Sequence, residues 1–228
     1  MLDALREAVC EANRALVHHG LVTLTWGNVS GICAERLHVA IKPSGVPYEE
    51  LMPEHVVIVD LDGNVVEGEL RPSSDTPTHV ALYRRFQHLG GITHTHSRHA
   101  TAFAQARREI PCLGTTHADH FRGPVPVTRP LSETEVQDRY EANTAVVIIE
   151  RFAGLDPLHM PAVLVAGHAP FVWGRTVAES VQNAVALEAV AAMTLDTLAL
   201  NAEPLELEEH VREKHYGRKH GKDAYYGQ

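Results

Sequence analysis

The chain has little cysteine: three residues in 228, at Cys10, Cys33 and Cys112. They are far apart and form no Cys-x-x-Cys pair. That spacing argues against a disulfide framework and a thiolate zinc site, and such usage suits a reducing cytosol. The chain also lacks a basic run. Its net charge is −9, so neither nucleic acid nor an anionic membrane is expected as a partner of the surface as a whole. A local basic pocket for one phosphate stays open. No uncharged apolar run is long enough to span a bilayer, since the Ala-rich stretch near Val185 is interrupted by Glu188 and Asp196. The segment from Met1 to Arg14 carries Asp3, Arg6, Glu7, Glu11 and Arg14, which does not read as a secretory signal. Repeats, low-complexity segments and linkers are missing too. What remains is 44% hydrophobic, ordinary for one domain with a substantial core.

Leu2 to His19 reads as an amphipathic helix, with Leu2, Leu5, Val9, Ala12 and Leu16 on one stripe and Gly20 after it. Val22 to Trp26 reads as a strand running into Gly27-Asn28. Leu37, Val39 and Ile41 alternate and end at Lys42-Pro43-Ser44-Gly45. Val56 to Leu61 and Asn64 to Glu67 form a hairpin around Asp62-Gly63. Thr76-Pro77 opens a helix to about His88, with a hydroxyl cap and proline in the first turn. A strand carrying His94 and His96 follows, and Ser97 can cap a helix through about Arg108. Val163 to Ala166 is a short strand, which Phe171 to Trp173 continues or pairs with. Thr176 to about Leu200 is a long helix. The tail from His210 is basic and is expected to dock rather than fray.

Alternate strand residues share a face, so His94 and His96 on one strand offer two adjacent imidazoles to a divalent metal. A packed, hydrogen-bonded pair is the plain alternative. His168, beside Gly167 and Pro170 at a strand end, leads His79, His99, His117 and His120 as a third nitrogen. Asp75 is the carboxylate candidate, though it could equally cap the helix after it. Gly27-Asn28 with Ser30, Lys42-Pro43-Ser44-Gly45 and Ser73-Ser74 each follow an expected strand. They offer amides, hydroxyls and one lysine to a phosphate. Thr115-Thr116-His117-Ala118-Asp119 reads as a polar loop, with Asp119 a possible acid–base group.

Five motifs carry a family resemblance: Thr23 to Ser30, Ile41 to Val46, Pro72 to His79, Thr93 to Thr101 and Gly114 to Asp119. The tail from Arg218 through Tyr225-Tyr226-Gly227-Gln228 joins them. Together they resemble the class II aldolase family, which also includes epimerases and adducin-like heads, over nearly the whole chain. The resemblance implies a three-layer α/β/α sandwich on a largely antiparallel central sheet. It implies Zn²⁺, with Mn²⁺ or Co²⁺ as substitutes, held by His94, His96 and His168 with Asp75 as a fourth ligand. Gly27, Asn28, Lys42, Ser44, Gly45, Ser73 and Ser74 correspond to phosphate-binding positions, and Thr115, Glu141 and His215 to further substrate contacts. Asp119 and Tyr226 correspond to two acid–base residues contributed by a neighbouring subunit of a homotetramer. Aldolases of the family carry Glu where this chain has Asp75. That difference implies the epimerase branch, acting at C4 of a phosphorylated pentulose. A sugar-phosphate aldolase and a non-catalytic adducin-like module are the alternatives.

Overall fold

A computed structural model describes residues 2–222, 224 and 225. Its centre is a seven-stranded antiparallel sheet. The strands are β1 (Asn28–Ile32), β2 (His38–Ile41), β3 (Val57–Asp60), β4 (Val65–Glu67), β5 (Gly91–His94), β6 (Ala162–Leu164) and β7 (Pro170–Gly174), in the order β4-β3-β2-β1-β5-β7-β6. The helices are α1 (Leu2–His18), α2 (Thr76–Arg85), α3 (Arg98–Ala106), α4 (Thr115–Ala118), α5 (Glu133–Arg151), α6 (Val177–Leu200) and α7 (Glu209–His220). Helices α1 and α6 cover one face, and α2 and α5 the other. This is the expected three-layer sandwich.

Strand alternation decides what each layer receives. On β1, Val29 and Gly31 face α1 and α6, whereas Ser30 reaches His79 and Tyr83 of α2. On β7, Phe171 and Trp173 face α2 and α5. Trp173 packs with Phe86 and Phe152, just past the ends of those helices, at ring distances of 5.8 and 5.0 Å. The opposite face admits α6 closely because the sheet is bare there. A Cβ on Gly91 would lie 2.5 Å from Val177 Cα, so only glycine fits. By length and composition α6 would suit a membrane, yet it packs against β7, β5 and α3.

Several boundaries differ from the sequence reading. Residues 22–26 are not a strand. Leu24 takes φ 53° and Trp26 N donates to Thr23 O, so the chain turns there and β1 starts at Asn28. Gly27-Asn28 therefore leads into a strand, with Asn28 its first residue, rather than following one. Strand β5 stops at His94, leaving His96 in the link to α3. Ser97 does not cap α3 with its side chain. The Glu188 carboxylate of α6 does so, accepting from His99 N at 2.8 Å and Ala100 N at 3.0 Å. Helix α2 begins after Asp75 rather than Thr76 and ends at Arg85. The Thr115 segment is a short helix, not a loop. Helix α5, entered through a capping box between Ser132 and Glu135, was not anticipated.

Helix α1 is tied to the sheet by one buried side chain. Asn13 Oδ1 accepts from Val29 N at 2.9 Å, while Asn13 Nδ2 donates to Val9 O and Val29 O. Replacing it strands two buried backbone groups of β1, at about 1–3 kcal/mol each before relaxation. Asn13→Ala should lower the urea midpoint with an unchanged m-value. An unaltered midpoint would show that water takes over the bonds.

Candidate active site

The site starts from sheet register. Asn28 pairs with His94, and His94 with Phe171, across β1, β5 and β7. The three side chains therefore stand side by side at one end of the α2–α5 face. His94 stacks on Phe171 at 4.2 Å, and its Nδ1 lies 2.9 Å from Pro170 O. A carbonyl can only accept, so Nδ1 carries the proton and Nε2 is left as the basic nitrogen. His96 and His168 complete a triangle with all three ring centroids 5.0 Å apart. One nitrogen from each ring lies within 4.8 Å of the others. His168 Nδ1 is 3.4 Å from the Tyr140 hydroxyl.

Electrostatics suit this trio to a metal. Burial first, then His94 and His96, pushes His168 down to about 4. Burial and His94 likewise lower His96. Both are therefore neutral at pH 7, the state in which an imidazole binds metal. Asp75 sits beside them, Oδ2 4.0 Å from His94 Nε2 and 2.7 Å from Asn28 Nδ2. Burial opposes its ionisation, but His94, His79 and the Asn28 amide outweigh this and hold the carboxyl below its usual range. Although Asp75 stands at the cap position of α2, its side chain caps nothing there. It faces the histidines instead. Three converging imidazoles with an adjacent carboxylate fit a divalent ion such as Zn²⁺, Mn²⁺ or Co²⁺.

The same cleft, about 610 Å³, contains the expected anion cradle. Ser73 N donates to Lys42 O and Ser44 N to Arg71 O, which interlocks the 42–45 and 71–74 turns. Lys42 is buried, and burial lowers its ammonium to about 8. Its Nζ contacts Pro43 O, at 3.3 Å, and the Tyr48 ring, at 4.7 Å. Among the described residues no carboxylate pairs with it, so a buried cation is left for an anionic ligand. Gly27 takes φ 80°, and a Cβ there would lie 2.7 Å from His94 O.

Gly27, Asn28, Lys42, Ser44, Gly45, Ser73, Ser74, Asp75, His94, His96, Glu141 and His168 all line this cleft. The competing histidines lie elsewhere. His79 is buried against Ser30, His99 bonds Glu188, His117 bonds Gly123 O, and His120 contacts Lys219. The sequence reading missed Trp26 and Tyr140. Tyr140 follows Arg139, whose non-helical φ −143° and ψ 78° kink α5 toward the cleft.

Thr115, Asp119 and His215 do not line this cleft. Asp119 ends α4 and is gripped by α7. Arg218 donates to both carboxylate oxygens, at 3.0 and 2.7 Å, and His215 Nδ1 lies 3.1 Å from Oδ1. Burial works against its ionisation, yet Arg218 and His215 prevail and hold its carboxyl below the usual range. The tail helix thus packs on α4. Tyr226 lies outside the described residues.

A family model, the Class II Aldolase and Adducin N-terminal domain, matches residues 7–195. The chain belongs to this family, whose members are typically enzymes acting on sugar phosphates with a divalent metal. Among solved structures, an L-fuculose 1-phosphate aldolase is 25% identical with TM-score 0.80, covering 94% of this chain and 95% of that one. YgbL of Klebsiella pneumoniae is 24% identical with TM-score 0.72, covering 94% and 98%. L-fuculose 1-phosphate aldolase from Glaciozyma antarctica PI12 is 17% identical with TM-score 0.78, covering 97% and 84%. At their lower identity, the last two speak for the fold alone.

The geometry separates ligands from bystanders. His94→Asn should reduce metal bound per chain after dialysis, measured by atomic emission. His99→Asn, which touches Glu188 rather than the trio, should leave metal content near that of the unsubstituted protein. Equal losses would show that other side chains hold the metal.

Proposed function

We propose that the chain is an L-ribulose-5-phosphate 4-epimerase, interconverting L-ribulose 5-phosphate and D-xylulose 5-phosphate. The observation that carries this reading is Asp75. Its short carboxylate is committed to Asn28 and lies against the histidines, where the resemblance places a longer Glu in aldolases. A side chain so held is poorly placed to deliver a proton to substrate carbon. Without that step, the two carbon fragments are retained and rejoined rather than released.

C4 carries no acidic C–H, so epimerisation proceeds by breaking the C3–C4 bond. One carrier takes the C4 hydroxyl proton as the bond breaks, leaving the enediolate of dihydroxyacetone and glycolaldehyde phosphate. The Lys42, Ser44, Ser73 and Ser74 cradle holds the phosphate while the aldehyde turns over. C3 then adds to its other face, and a second carrier returns a proton to the new C4 oxygen. A divalent ion held by His94, His96, His168 and Asp75, proposed as Zn²⁺ with Mn²⁺ or Co²⁺ as substitutes, would polarise the ketone and stabilise developing negative charge. The buried Asn28 Oδ1 has no partner among the described residues and is available to a substrate hydroxyl. Asp119 and Tyr226 are proposed as the two carriers. Because Asp119 lies outside its own cleft, they would act on the cleft of a neighbouring copy in a cytoplasmic homotetramer, with Thr115 and His215 beside them and Glu141 contributed by the cleft.

The likeness to L-fuculose 1-phosphate aldolase favours one rival, a class II sugar-phosphate aldolase. The adducin-like alternative has no need of a converging histidine trio and a buried lysine that no carboxylate pairs with among the described residues. The deciding assay incubates metal-loaded protein with L-ribulose 5-phosphate and, separately, L-fuculose 1-phosphate. The proposal expects D-xylulose 5-phosphate without free aldehyde. Cleavage of the fuculose ester, with no pentulose conversion, would replace it by the aldolase reading.

Lys42→Met should raise KM for the phosphorylated sugar by about tenfold or more, the scale of a hydrogen bond to a charged group. An unchanged KM would move the phosphate elsewhere. The pH dependence follows from the same lysine. It is protonated below about 8, and a phosphate monoester is a dianion above about 6. KM should therefore be lowest between these limits and climb above about 8, and Lys42→Met should flatten the alkaline limb. A limb that survives the substitution would belong to another group.

A further inference from the structure

A second cavity, about 200 Å³, lies between α7, the 157–161 turn, the end of β7 and the start of α6. Its wall is basic in a protein whose net charge is −9. Arg175, Lys219, His120, His159 and His220 line it, against a single carboxylate, Glu179. That carboxylate accepts from Arg175 N at 2.7 Å, which ties it to the backbone at the start of α6. The Arg175 guanidinium has no ion-pair partner among the described residues. Lys219 Nζ is 3.4 Å from His120 Nε2. Burial, then the Lys219 charge, drives His120 down to about 4, as expected for a positive local field.

A second feature is independent of charge. Tyr216 lines the same cavity, is only 6% exposed, and stacks on His220 at 4.5 Å. Its hydroxyl has no hydrogen-bond partner among the described residues. That oxygen is not sealed off from solvent, so the hydroxyl can donate to a ligand oxygen entering the cavity. Cationic donors and a neutral hydroxyl donor around a small enclosed volume are the chemistry of an oxyanion site. We propose that this cavity binds a phosphate group and thereby ties α7 to the body of the protein. The tie has a consequence, because α7 also carries His215 and Arg218, which grip Asp119. Occupancy would order the helix that holds that carboxylate in place. The site is separate from the Lys42 cradle and does not depend on which reaction the cleft performs.

The test uses metal-loaded protein carrying Lys42→Met, which disables the cradle. It is titrated with inorganic phosphate and, separately, with L-ribulose 5-phosphate, by calorimetry and by amide exchange across residues 209–220. The proposal expects saturable binding that slows exchange in α7. Protection by either ligand supports a phosphate-group site, and the tighter one identifies the occupant. Adding Arg175→Gln, an exposed position, should weaken binding at least about tenfold, the scale of one charge-assisted contact, and remove the protection. Lys219→Gln should act likewise. Two results overturn the proposal: no protection of α7 by either ligand, or protection that survives both substitutions.

Discussion

The site depends on one constraint, the antiparallel register that sets Asn28, His94 and Phe171 side by side across β1, β5 and β7. Side chains alternate between faces, so a one-residue slip of β5 would turn His94 toward α6 and bring Thr93 into the cleft. Features on the far side guard against that slip. Thr93 bonds Ser180 of α6 at 2.8 Å, and Gly91 admits Val177 where any side chain would collide. The contacts that seat α6 on one face therefore aim a metal-binding nitrogen on the other. Glu188 extends the same logic to His96. By capping α3 from α6, it fixes the start of the helix that follows the His96 link.

The cleft gathers groups that a stability-driven interior would avoid. Two imidazoles are held neutral by burial and by neighbouring histidines, and among the described residues a buried lysine has no counter-ion and the Asn28 oxygen no partner. Each carries a desolvation cost without an internal partner to offset it. Their convergence in one cleft argues for ligands of complementary chemistry, a metal for the imidazoles and a phosphate for the lysine. Asp75 links the two halves, since Asn28 donates to it and to Ser73 of the cradle.

Most of the cleft was legible in the sequence because short, chemically dense turns declare themselves. Lys42-Pro43-Ser44-Gly45 and Ser73-Ser74-Asp75 contain the residues that make and line it. Strand alternation accounts for only half of the His-x-His pair: His94 is on a strand and His96 is past its end. Their proximity comes from the turn into α3, which alternation does not describe. Residues 22–26 look like a strand by apolar content, but Leu24 adopts a left-handed conformation and the chain turns. Tyr140 and the kink at Arg139 went unseen because α5 has no clear amphipathic stripe, and nothing local signals that its middle meets His168. Asp119 was recognised as a functional candidate, but its clamp by Arg218 and His215 spans nearly a hundred positions and is a tertiary fact.

Anomalous diffraction from metal-loaded crystals, recorded at the absorption edge of the bound ion, tests the central claim most directly. The account predicts one strong peak per chain enclosed by nitrogens of His94, His96 and His168, with Asp75 adjacent and the Lys42 cradle across the same cleft. A dominant peak at any other cluster, or none at these imidazoles in protein shown to carry metal, would contradict it.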